Sequence, residues 1–331
     1  MTWSNDNQFQ ALALTGGGYR GLFTARALQT MEGHIKEPIG RHFDLITGTS
    51  IGGIVALAVA FEIPMSKVVE VFEHHGSDIF PAHSSPKNHL TKGLDLLRYS
   101  RKPRYSTQPL KDAISQIFDK DATLNDVLHP VAIPAVNVTQ GQPQIFKSRH
   151  KAEWNRDWKF KVIDVALATS AAPTFFELAE IDGNLYADGG LFANAPDMIA
   201  IHEAEYFFDV PTEFIKLLSV GTTTKSYSIS FNAGRNFGIA DWMEEQRLFS
   251  VMISSQQQFV DQLVAHKLGA RYLRIDKEPS QEQATDLGLD IATEVACKTL
   301  KSLADKAVTD ILGTDLTSFL NHQPTLQLFR G

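Results

Sequence analysis

The 331-residue sequence predicts an α/β protein with a central, mostly parallel sheet held between helices. Three observations predict it. Short apolar runs alternate with longer segments of helical periodicity. Two of those runs pass straight into glycine-rich turns and then into helical patterns, the order of strand, turn and helix that parallel sheets use. No internal repeat, low-complexity tract or Pro/Gly/Ser-rich linker divides the chain. A single domain over residues 1–331 is therefore expected.

The first strand is expected at residues 10–15. It runs into Gly16-Gly17-Gly18-Tyr19-Arg20-Gly21 and a helical pattern from Leu22 to Ile35. A second strand at 43–47 ends in Thr47-Gly48-Thr49-Ser50-Ile51-Gly52-Gly53, and residues 54–61 are apolar enough for a buried helix. Further strands are expected at 131–138, 184–187, 214–220 and 271–275, with amphipathic helices at 108–118, 241–266 and 287–311. Residues 163–168 read as a strand with a helix as the alternative, because a short apolar run does not reveal its own period. Pro196 to Phe207 reads as a helix starting at Pro196 or Asp197.

Gly48-Thr49-Ser50-Ile51-Gly52 matches the nucleophile elbow, Gly-x-Ser-x-Gly, between a strand and a helix. Gly48 and Gly52 let the chain turn sharply, and Ser50 then projects at a helix N-terminus that favours developing negative charge. Alone, the pattern also fits a plain glycine-rich turn. The earlier glycine run aims several N–H groups one way, and such a loop holds either a phosphate or an oxyanion. It matches Gly-x-Gly-x-x-Gly, but dinucleotide binding wants an acid at the end of the second strand. Ser50 occupies that place, and Asp44 lies at the strand's beginning. The oxyanion reading is preferred for Gly16, Gly17 and Gly18, with Arg20 supporting the loop, holding a phosphate or bracing the helix start. A third run, Asp188-Gly189-Gly190 after a short strand, places a carboxylate on a tight turn. Turn aspartates are common, but Asp188 is a candidate base for Ser50.

These three motifs, in this order, resemble the patatin-like phospholipase family. Ala168-Thr169-Ser170-Ala171-Ala172-Pro173 resembles that family's Ala-Ser-x-Ala-x-Pro segment, Leu217 to Thr222 its later strand, and Tyr105 to Phe118 the approach to its middle helices. The resemblance spans about residues 8–312. It implies a three-layer fold and a Ser50–Asp188 dyad that cleaves fatty-acyl esters of membrane phospholipids, with no metal, cofactor or catalytic histidine. Within the family, the run from Ala13 to Phe23 and the compact length look like the bacterial effectors of cyclic-oligonucleotide antiphage defence. That subgroup implies activation by a cyclic dinucleotide. An unregulated lipid or acyl-ester hydrolase, and an inactive binding protein on the same fold, stay as alternatives.

The formal net charge of −7 argues against a DNA or RNA partner. The polar N-terminus reads as no secretory signal, no apolar stretch reaches transmembrane length, and the single cysteine, Cys297, forms no internal disulfide. A cytoplasmic protein is expected, touching the inner face of the membrane peripherally when active, with a homo-oligomer left open. Lys87 to Arg104 is locally basic and carries leucines. It reads as a solvated surface or as an anion site built from Arg98, Arg101, Lys102 and Arg104, within a candidate cap over residues 76–104. Ser50, Asp188 and His202 keep the chain order of a hydrolase triad, but His202 falls inside a helical pattern, so a surface or core role is preferred. The adjacent pair His74-His75 points two ways on a helix and cannot chelate well.

Overall fold

The computed structural model describes residues 3–4, 7–81, 102–151, 153–223, 226–243, 247–313 and 315–324. Its strands are β1 (Phe9–Leu14), β2 (Leu45–Gly48), β3 (Val131–Asn137), β4 (Gln142–Lys147), β5 (Ala179–Ile181), β6 (Asn184–Asp188), β7 (Ile215–Val220) and β8 (Tyr272–Ile275). They form one sheet in the order β5-β6-β3-β2-β1-β7-β8, with β4 on β3. The β1–β2, β1–β7, β2–β3 and β7–β8 pairs are parallel, whereas β3–β4, β3–β6 and β5–β6 are antiparallel.

Side chains alternate across a strand, and here that alternation feeds two apolar layers. Leu12 and Leu14 of β1 enter one layer, while Phe9, Ala11 and Ala13 enter the other. In β7, Leu218 and Val220 join the first layer, and Ile215 and Leu217 the second. The first layer is covered by α1 (Gly21–Ile35), α2 (Ile51–Ala60), α3 (Met65–Ile79), α4 (Gln108–Ile117), α5 (Val162–Thr169) and, farther along the chain, Glu294–Thr309. The second is covered by α6 (Asp197–His202) and α7 (Arg247–Leu268). The helix Glu294–Thr309, here α8, shows why such segments fold as they do. Thr293 caps it by accepting the Ala296 N–H at 3.1 Å. Its buried residues Ala296, Leu300, Leu303, Ala304, Ala307 and Val308 form one stripe.

Several expectations need correction. Residues 163–168 are the helix α5. Its two least buried positions, Asp164 and Leu167, are three apart, which is a helical and not a strand spacing. The helix expected over 287–311 begins only at Glu294. That expected over 241–266 comprises a turn at Ile239–Met243 and then α7, with residues 244–246 outside the described residues. The segment from Pro196 is helical to His202 and then widens into a π-helical turn, Glu203–Phe207. The strands β4 and β5 went unforeseen, β4 because its sequence is largely polar and β5 because it is three residues long. Of the candidate cap, residues 76–79 belong to α3, and residues 82–101, with Arg98 and Arg101, lie outside the described residues.

Candidate active site

The site starts from a strained turn. β2 ends at Gly48 and α2 begins at Ile51, so the chain reverses over Thr49 and Ser50. Ser50 takes φ 55° and ψ −127°, and backbone strain of this kind costs about 1–3 kcal/mol. Its surroundings hold it there. The Ser50 N–H donates to Thr169 Oγ1 at 3.0 Å, and the Thr169 hydroxyl donates to the Pro134 carbonyl at 2.6 Å. The Thr49 hydroxyl donates to the Ala193 carbonyl at 2.6 Å. A Cβ at Gly48 would lie 2.1 Å from the Gly52 carbonyl oxygen, and one at Gly52 2.4 Å from that of Leu14. Close approach of turn to sheet therefore requires both glycines.

Asp188 ends β6 and is 3% exposed. Its carboxylate accepts the Gly190 N–H at 2.7 Å and lines the same cleft as Ser50. Burial pushes its pKa up to about 7, against the opposing pull of the Gly190 N–H and Ser50. The Asp188 N–H donates to the Ala171 carbonyl at 2.9 Å. One short stretch at the end of α5 thus positions both side chains, Ser50 through Thr169 and Asp188 through Ala171.

The glycine loop lies against the same turn. The Gly16 N–H donates to the Asn194 carbonyl at 2.9 Å, so it is not free for an oxyanion. The Tyr19 N–H donates to the Leu289 carbonyl at 2.8 Å. Among the described residues, the Gly17 and Gly18 amides have no acceptor. Gly18 has φ +57°, and a Cβ there would lie 2.1 Å from the Leu289 carbonyl oxygen. The Arg20 Nε reaches to 3.5 Å from the Gly17 carbonyl oxygen, which places this side chain as a brace behind the loop.

These groups line one cleft with apolar walls that include Phe72, Phe80, Phe175, Phe176, Phe249 and Ile253. Such walls suit an alkyl chain, and the polar atoms converge at Ser50 and Asp188. No histidine lines the cleft among the described residues. His202 is exposed on α6, stacked on Tyr206 with ring centroids 5.5 Å apart.

The family model for patatin-like phospholipase matches residues 12–201, which contain all three motifs. The chain belongs to the patatin-like phospholipase family. Over 324 residues it is 37% identical to the cGAMP-activated phospholipase of Pseudomonas aeruginosa, covering 97% of this chain and 94% of that one. It is 36% identical over 328 residues to the cGAMP-activated phospholipase of Vibrio cholerae, covering 92% and 91%. A cUMP-AMP-activated phospholipase of Escherichia coli is 28% identical over 230 residues, covering 66% of each chain. This patatin-like phospholipase is a carboxylic ester hydrolase by family. No helix among its described residues is long and apolar enough to cross a membrane.

Sequence reading missed several residues of the phospholipase site. Thr169 lies in a run already singled out and Asn194 four residues past another, but nothing local marks their hydrogen bonds. Asn194 Nδ2 donates to the Gly16 carbonyl at 3.2 Å. The Ser170 hydroxyl, buried in the cleft lining, has no hydrogen-bond partner among the described residues. Leu289 and Asp290 carry no motif at all. Asp290 accepts Arg104 Nη1 at 2.9 Å and the Tyr105 hydroxyl at 2.7 Å, which ties the Leu289 carbonyl to its place on the glycine loop. Arg104 of the basic segment is thus committed to an internal carboxylate, while Lys102 is exposed.

Proposed function

We propose that this chain hydrolyses fatty-acyl esters of membrane phospholipids with Ser50 as nucleophile and Asp188 as general base, and that a cyclic dinucleotide activates it. The observation that carries the chemistry is the meeting of Ser50 with the buried Asp188 carboxylate at the polar end of an apolar cleft. Ser50 Oγ attacks the ester carbonyl as its proton passes to Asp188. The Gly17 and Gly18 N–H groups take the oxyanion. Collapse expels the lysolipid alkoxide, which receives the proton from Asp188, and leaves an acyl-Ser50. Asp188 then deprotonates a water that attacks the acyl group, and the fatty acid departs as the proton returns to Ser50.

Activation draws its support from the relatives, of which those in P. aeruginosa and V. cholerae are described as cGAMP-activated. In this chain, the phosphate-matching cations left for such a ligand are Arg98, Arg101 and Lys102, since Arg104 pairs with Asp290. The test is mass spectrometry of mixed phospholipid vesicles incubated with the protein, with and without a panel of cyclic dinucleotides that includes cGAMP. Release of fatty acid and lysolipid is expected, accelerated by one of the panel and absent in Ser50→Ala. Hydrolysis that no cyclic dinucleotide changes overturns the activation and leaves an unregulated lipase. Arg98→Ala and Arg101→Ala are expected to weaken activation while sparing hydrolysis of a small soluble ester.

A further inference from the structure

Beside the cleft lies an exposed apolar surface. Phe231 is 99% exposed and Ile239 is 86% exposed. Phe237, Ile239, Trp242, Met243 and Leu248 line a shallow groove. Its shape is maintained from within: the Phe237 and Trp242 rings lie 5.5 Å apart, and the Asp241 carboxylate accepts the Gly238 N–H at 2.7 Å. From the groove the apolar surface continues along α7. Leu248, Phe259 and Leu263 are 52%, 61% and 40% exposed. At about 100° per residue they fall on one stripe of the helix, spread over about 60°.

That stripe is continuous with the cleft. Phe249 and Ile253, which line the cleft around Ser50, lie next to it around the same helix. Leu248 in the groove and Phe249 in the cleft are consecutive residues. An acyl chain drawn from a lipid layer to Ser50 must avoid crossing water, and an apolar surface that runs into the cleft mouth provides that path. The charges suit the same occupant. From Arg247 to Val260 the helix carries no acid, in a chain of net charge −7. The Arg247 guanidinium sits 5.7 Å from the Phe237 ring centroid, a pairing of aromatic and cation that suits the headgroup region. The acidic Glu244 and Glu245 lie outside the described residues.

We propose that Phe231, the groove of Phe237, Ile239, Trp242, Met243 and Leu248, and the stripe of Leu248, Phe259 and Leu263 form the face that docks on a phospholipid bilayer and delivers the acyl chain to the cleft. This rests on the reading of the chain as a phospholipid hydrolase. Aromatic and aliphatic side chains would sit at the boundary of headgroups and acyl chains, with α7 lying along the membrane surface.

The experiment uses Ser50→Ala protein, which binds without hydrolysis, and vesicles of phosphatidylcholine and phosphatidylglycerol, with and without cGAMP. Two pairs on this face are changed in that background, Ile239→Ser with Trp242→Ser, and Phe259→Ser with Leu263→Ser. Flotation is expected to show vesicle affinity lowered about tenfold or more by each pair. Brominated phospholipids are expected to quench a fluorescence component that Trp242→Phe removes. In the active enzyme the same pairs should reduce vesicle hydrolysis while hydrolysis of a short soluble ester stays within about twofold, as expected for surface residues away from the dyad. Vesicle affinity unchanged by both pairs, or no binding by the parent protein, overturns the proposal. So does a change in sedimentation without a change in vesicle binding, which assigns the face to a second copy of the chain. If the parent binds vesicles through this face and the active enzyme cleaves no phospholipid in them, the docking face stands and the substrate reading falls.

Discussion

Ser50 carries a conformational cost, and in the proposed mechanism the turn that imposes it presents the nucleophile while Asp188 is the base. At φ 55° and ψ −127°, glycine would be more comfortable. Ser50→Gly is therefore expected to raise stability by about 1 kcal/mol or more while abolishing turnover and fluorophosphonate labelling. Denaturant unfolding and probe labelling check both halves, and residual turnover in purified Ser50→Gly or Ser50→Ala sinks the mechanism. Asp188 trades stability for chemistry in a similar way. Its carboxyl titrates at about 7, where burial has raised it from its ordinary range. The base must be ionised, so kcat/KM is expected to fall as pH drops below about 7, with a plateau above it. The sign for stability is opposite. A carboxyl raised in the folded state contributes stability below its unfolded pKa, near 4, and that contribution is lost as pH rises through about 7. Asp188→Asn avoids burying the charge and should be more stable than the parent at pH 8, with little difference at pH 4. Equal unfolding midpoints at pH 8 would contradict that account.

The end of α5 and the segment after Thr285 do the positioning. Thr169 serves as acceptor for the Ser50 N–H and as donor to Pro134, so Thr169→Val leaves a buried N–H and a buried carbonyl unpaired. A cost of about 1–3 kcal/mol is expected, with a loss of kcat because Ser50 is no longer held. Chemical denaturation and steady-state kinetics would report the two effects. The second device is the clasp of Arg104 and Tyr105 on Asp290, which sets the Leu289 carbonyl against the Tyr19 N–H. Asp290→Ala should lower kcat about tenfold or more while KM moves little, because oxyanion donors act mainly in the transition state. A rise in KM with unchanged kcat would instead place Asp290 in substrate binding. Neither device is visible in a local pattern, since each joins segments far apart in the chain.

Over the whole molecule, burial on both faces of the sheet keeps the two arms of the site in register. β2 brings Ser50 to the carboxyl edge of the parallel strands, and β6, antiparallel to β3, delivers Asp188 to the same place. The scaffold that supports this is distributed. The α8 stripe packs beside α1, where Arg26 makes two hydrogen bonds to Asp305 at 2.7 and 2.9 Å. Leu300→Ala is expected to cost about 2–5 kcal/mol of unfolding free energy. The folded fraction should keep its kcat within about threefold, because the change is far from the elbow and independent sites add. Thermal unfolding with parallel rate measurements checks it, and a collapse of kcat in folded Leu300→Ala would show that α8 also shapes the site.

Glycine at positions 48, 52 and 18, the serine between two glycines, and an aspartate before a glycine pair are all local signals. Each is set by backbone sterics over a few residues, which is why the sharp elbow and the glycine loop could be read from the chain. The period of a long amphipathic segment is equally local, so α1, α4 and α7 were foreseen in outline. Residues 163–168 were not, because five apolar positions around Asp164 fit two periods, and packing on neighbouring elements, α2 and β3 among them, selects the helix. The mixed sheet edge, with β4 and β5, depends on backbone pairing that any short polar strand can make once β3 is in place. The amide of Gly16 is closed off by Asn194, Arg104 is drawn to Asp290, and Asp188 is raised by burial. Each of those depends on what distant segments bring within a few ångströms, and no run of neighbouring residues encodes that distance.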